Sequence, residues 1–336
     1  MSGRPVRIFF RFLAVFLLGF ALAAAIAWVR LDAPGPHDAA RAVVIPKGAG
    51  SEGIARRLLE AGVIADPRLF RLAARALGRD KPLRAGEYEF PPRASALAAI
   101  RLMQSGRTVV RRVTISEGLT VKQVVALLGL AEGLEGPVAR IPGEGTLLPE
   151  TYHYSWGDSR QAMVERMGEA MREALARAWA GRSVPPIVKT AEEALVLASI
   201  VEKETGVAAE RPRVAAVFLN RLKANMKLQS DPTVIYGLSR GEGSLDRTLV
   251  RADLDADQAF NTYTRGGLPP TPIANPGRAA IEAVLNPVVS DEYYFVADGS
   301  GGHAFAKTLD EHNRNVARWR KIQNERGSQQ SPSSLR

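Results

Sequence analysis

Leu197-Ala198-Ser199-Ile200-Val201-Glu202-Lys203-Glu204-Thr205 closes a run, residues 190–205, that is the most apolar helical stretch outside the N-terminus. Leu197, Ile200, Val201 and Glu204 stand at i, i+3, i+4 and i+7, one stripe of an α-helix. The stripe ends in a carboxylate where its pattern calls for an apolar side chain. Burial disfavours the ionised carboxyl and raises its pKa, which suits a general acid near neutral pH. Glu204 is the candidate acid on this reading. Glu202 falls with Ala198 and Ser199, nearer the polar side, as a surface residue or a support for Glu204. Periodicity alone also allows both to be solvated at a fraying helix end.

Working outward, residues 162–180 read as a strongly charged helix and 212–222 as another. Residues 143–156, GEGTLLPETYHYSW, read as a loop. A long, poorly periodic region follows at 227–276, dense in Gly, Pro, Asn and Tyr. A loop of that length is functional or disordered, and its Tyr and Asn speak against disorder. It carries Gln229-Ser230-Asp231-Pro232-Thr233 and Asn261-Thr262-Tyr263. Amides and hydroxyls for sugar hydroxyls, with a ring for stacking, suit a carbohydrate. The same residue types also favour turns, so turn chemistry stands beside that reading. Residues 293–296 and 303–305 read as a small β-hairpin about a turn at 298–302, 309–322 as a last helix, and 323–336 as a disordered polar tail.

Upstream the chain repeats itself faintly. Val43, Ile45, Gly48, Ile54, Ala55 and Leu58 recur as Val113, Ile115, Gly118, Val124, Val125 and Leu128, each at an offset of 70. Each copy reads as a short strand, a turn at Gly and an amphipathic helix. With a strand at 83–90 and a helix at 94–103 stopping near Gly106, residues 43–135 form an α+β module. Gly48-Ala49-Gly50-Ser51-Glu52-Gly53 fits G-x-G-x-x-G, but no second strand ends in an acidic residue about 20 positions on, as a dinucleotide site needs. A tight turn with Ser51 as helix cap explains these glycines.

Residues 12–29 hold no charge, and Arg4, Arg7 and Arg11 precede them. That reads as a transmembrane helix with 1–11 in the cytoplasm and the body of the chain outside. A cleaved signal peptide is the competing reading, given the small residues at 23–27, but its apolar core usually runs about 7–15 residues. Residues 30–42, with Pro34, Gly35 and Pro36, read as a linker.

Composition narrows the chemistry. The 336 residues contain 46% hydrophobic and 24% charged side chains and carry a net charge of +10, with no block of basic residues interleaved with aromatics. A solvated basic surface on an exported protein accounts for the charge better than nucleic-acid binding. Cysteine is absent, which excludes disulfides, thiol nucleophiles and Cys-ligated metals. The four histidines are scattered, with no H-E-x-x-H, G-x-S-x-G or S-x-x-K. No metal or cofactor is expected, and carboxylate chemistry remains.

The motifs taken together, the run at 197–205, VFLNRL at 217–222, LQSDPTVIYG at 228–237, NTY at 261–263, GLPP at 267–270 and YFVADG at 294–299 with Gly302-His303, resemble the endolytic murein transglycosylases of the YceG-like family. The resemblance runs from about 43 to 320. It implies an α+β chain with a LysM-like module at 43–135 and a mainly helical, lysozyme-like catalytic domain at 136–322. It also implies a lyase that cuts the MurNAc-β-1,4-GlcNAc bond of nascent peptidoglycan to leave 1,6-anhydroMurNAc ends and terminate strands. Glu204 would be the catalytic acid. Gln229, Ser230, Asp231, Thr233, Tyr236, Asn261, Tyr263 and His303 would bind the glycan strand, with Asp231 or Glu150 as conceivable helpers. Peptidoglycan synthases (penicillin-binding proteins) would be partners, and the enzyme would sit in the inner membrane facing the periplasm. A tethered peptidoglycan-binding module without activity and a hydrolytic muramidase are the alternatives.

Overall fold

The computed structural model describes residues 4–78, 81–183 and 187–330. The chain forms two compact units. The first takes residues up to Arg112, with Glu132–Glu135 and His153–Asp158. The second takes Val113–Ala131, Gly136–Tyr152 and Ser159 onward.

The first unit begins with helix α1 (Arg4–Asp32), apolar and exposed along most of its length. Its segment Arg7–Asp32 is long and apolar enough to cross a membrane. Strand β1 (Arg41–Ile45) pairs antiparallel with β2 (Gly86–Phe90), placing Val43 opposite Tyr88. Helices α2 (Ser51–Glu60), α3 (Pro67–Leu77) and α4 (Ala96–Ser105) cover it. Asp66 and Ser95 cap α3 and α4 through their side chains, and Gly106 ends α4 at φ +70°. That glycine allows the left-handed turn at no Cβ cost. The core is apolar throughout: Leu58, Phe70, Tyr88, Phe90, Ile100 and Met103 are all sealed from solvent.

The second unit contains the remaining helices and the last hairpin. Strand β3 (Arg111–Thr114) pairs with β4 (Thr151–Tyr154), and both strands are divided between the two units. The helices are α5 (Val121–Leu130), α6 (Arg160–Ala180), α7 (Ala191–Glu204), α8 (Arg211–Lys223), α9 (Asp231–Ser239), α10 (Arg251–Asp255), α11 (Arg278–Leu285) and α12 (Leu309–Gln330). Strands β5 (Tyr294–Ala297) and β6 (His303–Ala306) form the expected hairpin. Helix α7 lies at the centre, packed on α8 and α11 through Leu197, Ile200, Val201, Val214, Phe218, Ile281 and Val284.

Several expectations change. The loop at 143–156 contains β4, whose side chains alternate exposed and buried from Thr151 to Tyr154; that period of two marks a half-buried strand. The long loop at 227–276 contains α9 and α10. Gly50, not Ser51, occupies the cap of α2, and no side chain caps it. The 30–42 stretch packs instead of hanging free: α1 continues to Asp32, the Gly35 N–H donates to Arg93 O, and buried His37 bonds Pro91 O at 2.8 Å. Helix α12 carries the polar tail to Gln330, and 331–336 lie outside the described residues. The repeat copies fall in different units, so packing divides the chain near 112, where repetition alone places the boundary at 135.

Candidate active site

Helix α7 fixes the candidate acid, Glu204. Thr190 caps its start by accepting from the Glu193 N–H, and every residue from Ala194 to Val201 is buried. Ser199 Oγ donates to Val196 O at 2.7 Å and accepts the Ile273 N–H at 3.0 Å, which pins the helix to the 273 loop. The last helical residue is Glu204, and Thr205 turns extended.

Because α7 is buried on every face from Ala194 to Val201, the stripe does not separate the two glutamates. Glu202, read as nearer the polar side, has a side chain only 4% exposed. It accepts the Gly277 N–H at 2.8 Å and pairs with Arg211 at 3.3 Å, and Arg211 also reaches Glu117. Burial raises its pKa, while the Gly277 bond and Arg211 oppose the rise. All its carboxylate oxygens are engaged, and it ties α7 to α8 and to the start of α11. The partners, not the periodicity, distinguish it from Glu204.

Glu204 accepts one bond, from Ser230 Oγ to Oε1 at 2.5 Å. Among the described residues Oε2 has no hydrogen-bond partner. Burial pushes the Glu204 pKa up to about 7; the Ser230 bond pulls it back, the Asp231 charge adds to the rise, and His303 and Arg221 oppose it. The carboxyl is thus balanced between acid and base near neutral pH, with its proton free to sit on Oε2.

The chain from 227 to 231 is built to present Ser230. Gln229 adopts φ +50° and its N–H donates to Thr262 O. The Ser230 N–H donates to Thr262 Oγ1 at 3.0 Å. Arg221, 8% exposed, donates from Nη1 to Leu228 O and Lys227 O, reaches Gln229 Oε1 at 3.4 Å, and donates from Nε to Tyr293 O at 2.6 Å. Its guanidinium lies under the Tyr294 ring. One buried cation therefore holds both the Ser230 loop and the β5 hairpin.

Of the predicted binding residues, Ser230, Asp231, Tyr263 and His303 gather about Glu204, and Gln229 precedes Ser230 with its side chain toward Arg221. Tyr263 donates its hydroxyl to Asp231 Oδ1 at 2.6 Å, and burial with that bond raises the phenol pKa, keeping it a donor. His303 is held through ring Nδ1 by Glu210 at 2.7 Å, and its N–H donates to the same carboxylate. Thr233 and Asn261 are fully buried. Thr233 Oγ1 bonds Ser230 O and Thr262, and the Asn261 amide donates to three main-chain carbonyls at 253, 254 and 256. They build the loops and have no atom to offer a ligand, because the chain here lacks ladder partners. Tyr236 is half-buried with its hydroxyl on Glu144. Glu150 is spent on Arg278, with no contact to Glu204. Among the described residues no three His, Asp or Glu side chains converge to hold a metal ion.

Sequence reasoning missed Arg221, Glu210 and Thr262 as organisers. Arg221 lies inside the motif at 217–222, but an Arg in a helix signals surface by default, and no spacing marks its burial. Glu210 carries no local signal.

A family model described as the YceG-like family matches residues 43–318. The chain is 28% identical over 313 residues to the endolytic murein transglycosylase of Bacillus subtilis, covering 84% of this chain and 85% of that protein. It is 28% identical over 323 residues to the endolytic murein transglycosylase of Streptococcus pneumoniae, covering 82% of this chain and 57% of that one. Among solved structures, a yceG-like protein from Listeria monocytogenes is 29% identical, over 82% of this chain and 99% of that one, with a TM-score of 0.48.

Proposed function

This chain belongs to the YceG-like family, and from that premise we propose that it is a membrane-anchored lytic transglycosylase, a lyase acting on peptidoglycan glycan strands. The reaction is cleavage of the MurNAc-β-1,4-GlcNAc bond within a strand. The observation that carries the reading is a single carboxyl, Glu204, with its pKa raised to about 7 and one oxygen unbonded beside sugar-compatible groups.

Ordinary glycosidases need two carboxyl groups, one for water or as nucleophile. Here the substrate supplies the second. Glu204 Oε2 gives its proton to the glycosidic oxygen as the C1–O bond breaks, and the GlcNAc leaves as its 4-hydroxyl. The muramic 6-hydroxyl attacks C1, and the Glu204 carboxylate takes its proton. A 1,6-anhydro ring forms, Glu204 returns protonated, and no water enters. Ser230 keeps Oε1 occupied so that the proton is presented on Oε2. Gln229, Asp231, Tyr263 and His303 line the strand's path.

The same reading gives the finer features implied by resemblance. The repeat copies serve as LysM-like glycan holders, and the α7-centred body is lysozyme-like. Helix α1 spans the inner membrane with Arg7 and Arg11 on the cytoplasmic side, and peptidoglycan synthases supply nascent strands whose growth the cut ends.

The test is mass spectrometry of glycan fragments after incubation with the full-length protein and with Glu204→Gln. Anhydro-muramic ends from the wild type and none from the variant are expected. Reducing ends, each product one water heavier, would make the enzyme a hydrolase. No cleavage by either would leave a binding module.

A further inference from the structure

The residue before Glu204 on α7, Lys203, lines a cavity of about 340 Å³ that the reaction above does not use. Lys203, Pro232, Ile235, Tyr236, Leu245 and Ile273 are among the residues lining it. Lys203 adjoins Glu204 on α7, and Pro232 follows Asp231 at the start of α9, so two elements that carry the candidate site also wall the cavity.

Its charges are unequal in kind. Arg247 also lines it, but its guanidinium is committed to Asp253. Lys203 is different: its Nζ reaches only the main-chain oxygen of Gly118, at 3.3 Å, and no carboxylate among the described residues is within ion-pair distance. A larger hollow of about 630 Å³ elsewhere in the unit is lined by Arg177, Arg211 and Arg278. Each of those arginines already has a Glu partner. The cavity at Lys203 thus combines apolar walls with a cation that lacks a counter-charge.

We propose that this cavity is a subsite for the carboxylate-bearing peptide substituent of the muramic acid, with Lys203 pairing its carboxylate and Pro232, Ile235, Tyr236 and Ile273 packing its short aliphatic side chains. The proposal rests on the peptidoglycan reading above and deepens it. A sugar ring offers hydroxyls and no charge; the peptide on the muramic lactyl ether offers both small apolar groups and carboxylates. The half-buried Tyr236–Glu144 bond keeps the phenol oriented as a wall. An uncharged glycan gains nothing from Lys203, whereas a peptide-bearing one exchanges a weak main-chain contact for an ion pair in a partly enclosed site.

The experiment is titration calorimetry of full-length protein in detergent with muramyl dipeptide and with peptide-free N-acetylmuramic acid methyl ester. Wild type and Lys203→Met are compared, since Met keeps the length and apolar stem. A loss of about tenfold in affinity for muramyl dipeptide, with the methyl ester bound equally by both proteins, is expected. Equal binding of muramyl dipeptide by both, or the same loss for both ligands, overturns the subsite. A circular dichroism melt of Lys203→Met within the wild-type range establishes that the variant is folded. Glycan cleavage is assayed in parallel: a Lys203-dependent difference without any cleavage refutes the transglycosylase and leaves the subsite standing.

Discussion

In the first repeat copy Gly48 turns the chain at φ +78°, and nothing lies within 4 Å of where a Cβ would sit. In the second copy Gly118 turns at the same φ, and Lys203 of α7 comes within 3.4 Å. The buried positions also correspond: Leu58 and Leu128 are both fully sealed, as are Ile45 and Ile115 nearly so. What differs is the wiring. The first copy closes on an apolar core of its own, with α2 uncapped by any side chain. In the second, Thr120 and Gln123 form a capping box. The Gly118 N–H donates to Asn275 O, Lys203 donates to Gly118 O, and Glu117 pairs with Arg211. One pattern thus serves as a self-contained fold in one place and as part of the frame around the end of α7 in the other. The hydrophobic positions specify the local fold, and the polar residues between them decide what it is attached to.

The comparison can be broken at several strengths. Glu204→Gln removes the candidate acid one residue beyond Lys203, and a loss of at least about 1,000-fold in cleavage rate is expected. Its stability effect depends on pH. The folded pKa of about 7 lies above the ordinary 4.5, so between those values the folded state holds a proton the unfolded chain has lost. Stability is full below pH 4.5 and falls by about 3 kcal/mol as pH rises to 7 and beyond. Thermal melts should show the Gln variant more stable than wild type at pH 8 and no such gain at pH 4, and cleavage by the wild type should fall as pH rises through 7.

Leu58→Ala and Leu128→Ala should each cost about 2–5 kcal/mol in urea unfolding, as sealed leucines do. Activity per folded molecule should fall only for Leu128→Ala. A smaller effect comes from the paired glycines. Gly48→Ala and Gly118→Ala each force a Cβ into the left-handed region, at about 1–2 kcal/mol. Equal losses of stability with a drop in kcat for Gly118→Ala alone would sharpen the contrast, and equal kcat in both would erase it. Least of all, Thr120→Ala should lose about 1 kcal/mol by removing the capping box.

The sequence made the regular parts legible. Alternation gave β1 and β5, the offset of 70 gave the paired turns, and an apolar run interrupted by carboxylates led to α7. Its reach ended where burial depends on distant partners. Glu202 and Glu204 stand about 200° apart at the end of a helix whose 194–201 segment is buried on every face, so no periodicity could rank them; the Gly277 N–H and Arg211 do. Asn261 and Thr233 read as sugar ligands because residues that satisfy loop backbones and residues that bind hydroxyls are the same types. β4 hid within a Gly-rich stretch because a four-residue strand offers only two alternations.

Helix α1 has a mechanical consequence. Its 29 residues extend about 43 Å at 1.5 Å each, roughly 13 Å more than a bilayer core. Its last turn does not end in slack: Leu31 is buried against the first unit, and the residues after it are bonded to Arg93 and Pro91. A protein held this way has no tether to pay out. Were α1 set in a bilayer, it would hold the first unit at a fixed height above the lipid, turning with the helix. Lengthening the 33–40 stretch by a flexible spacer would let that height vary.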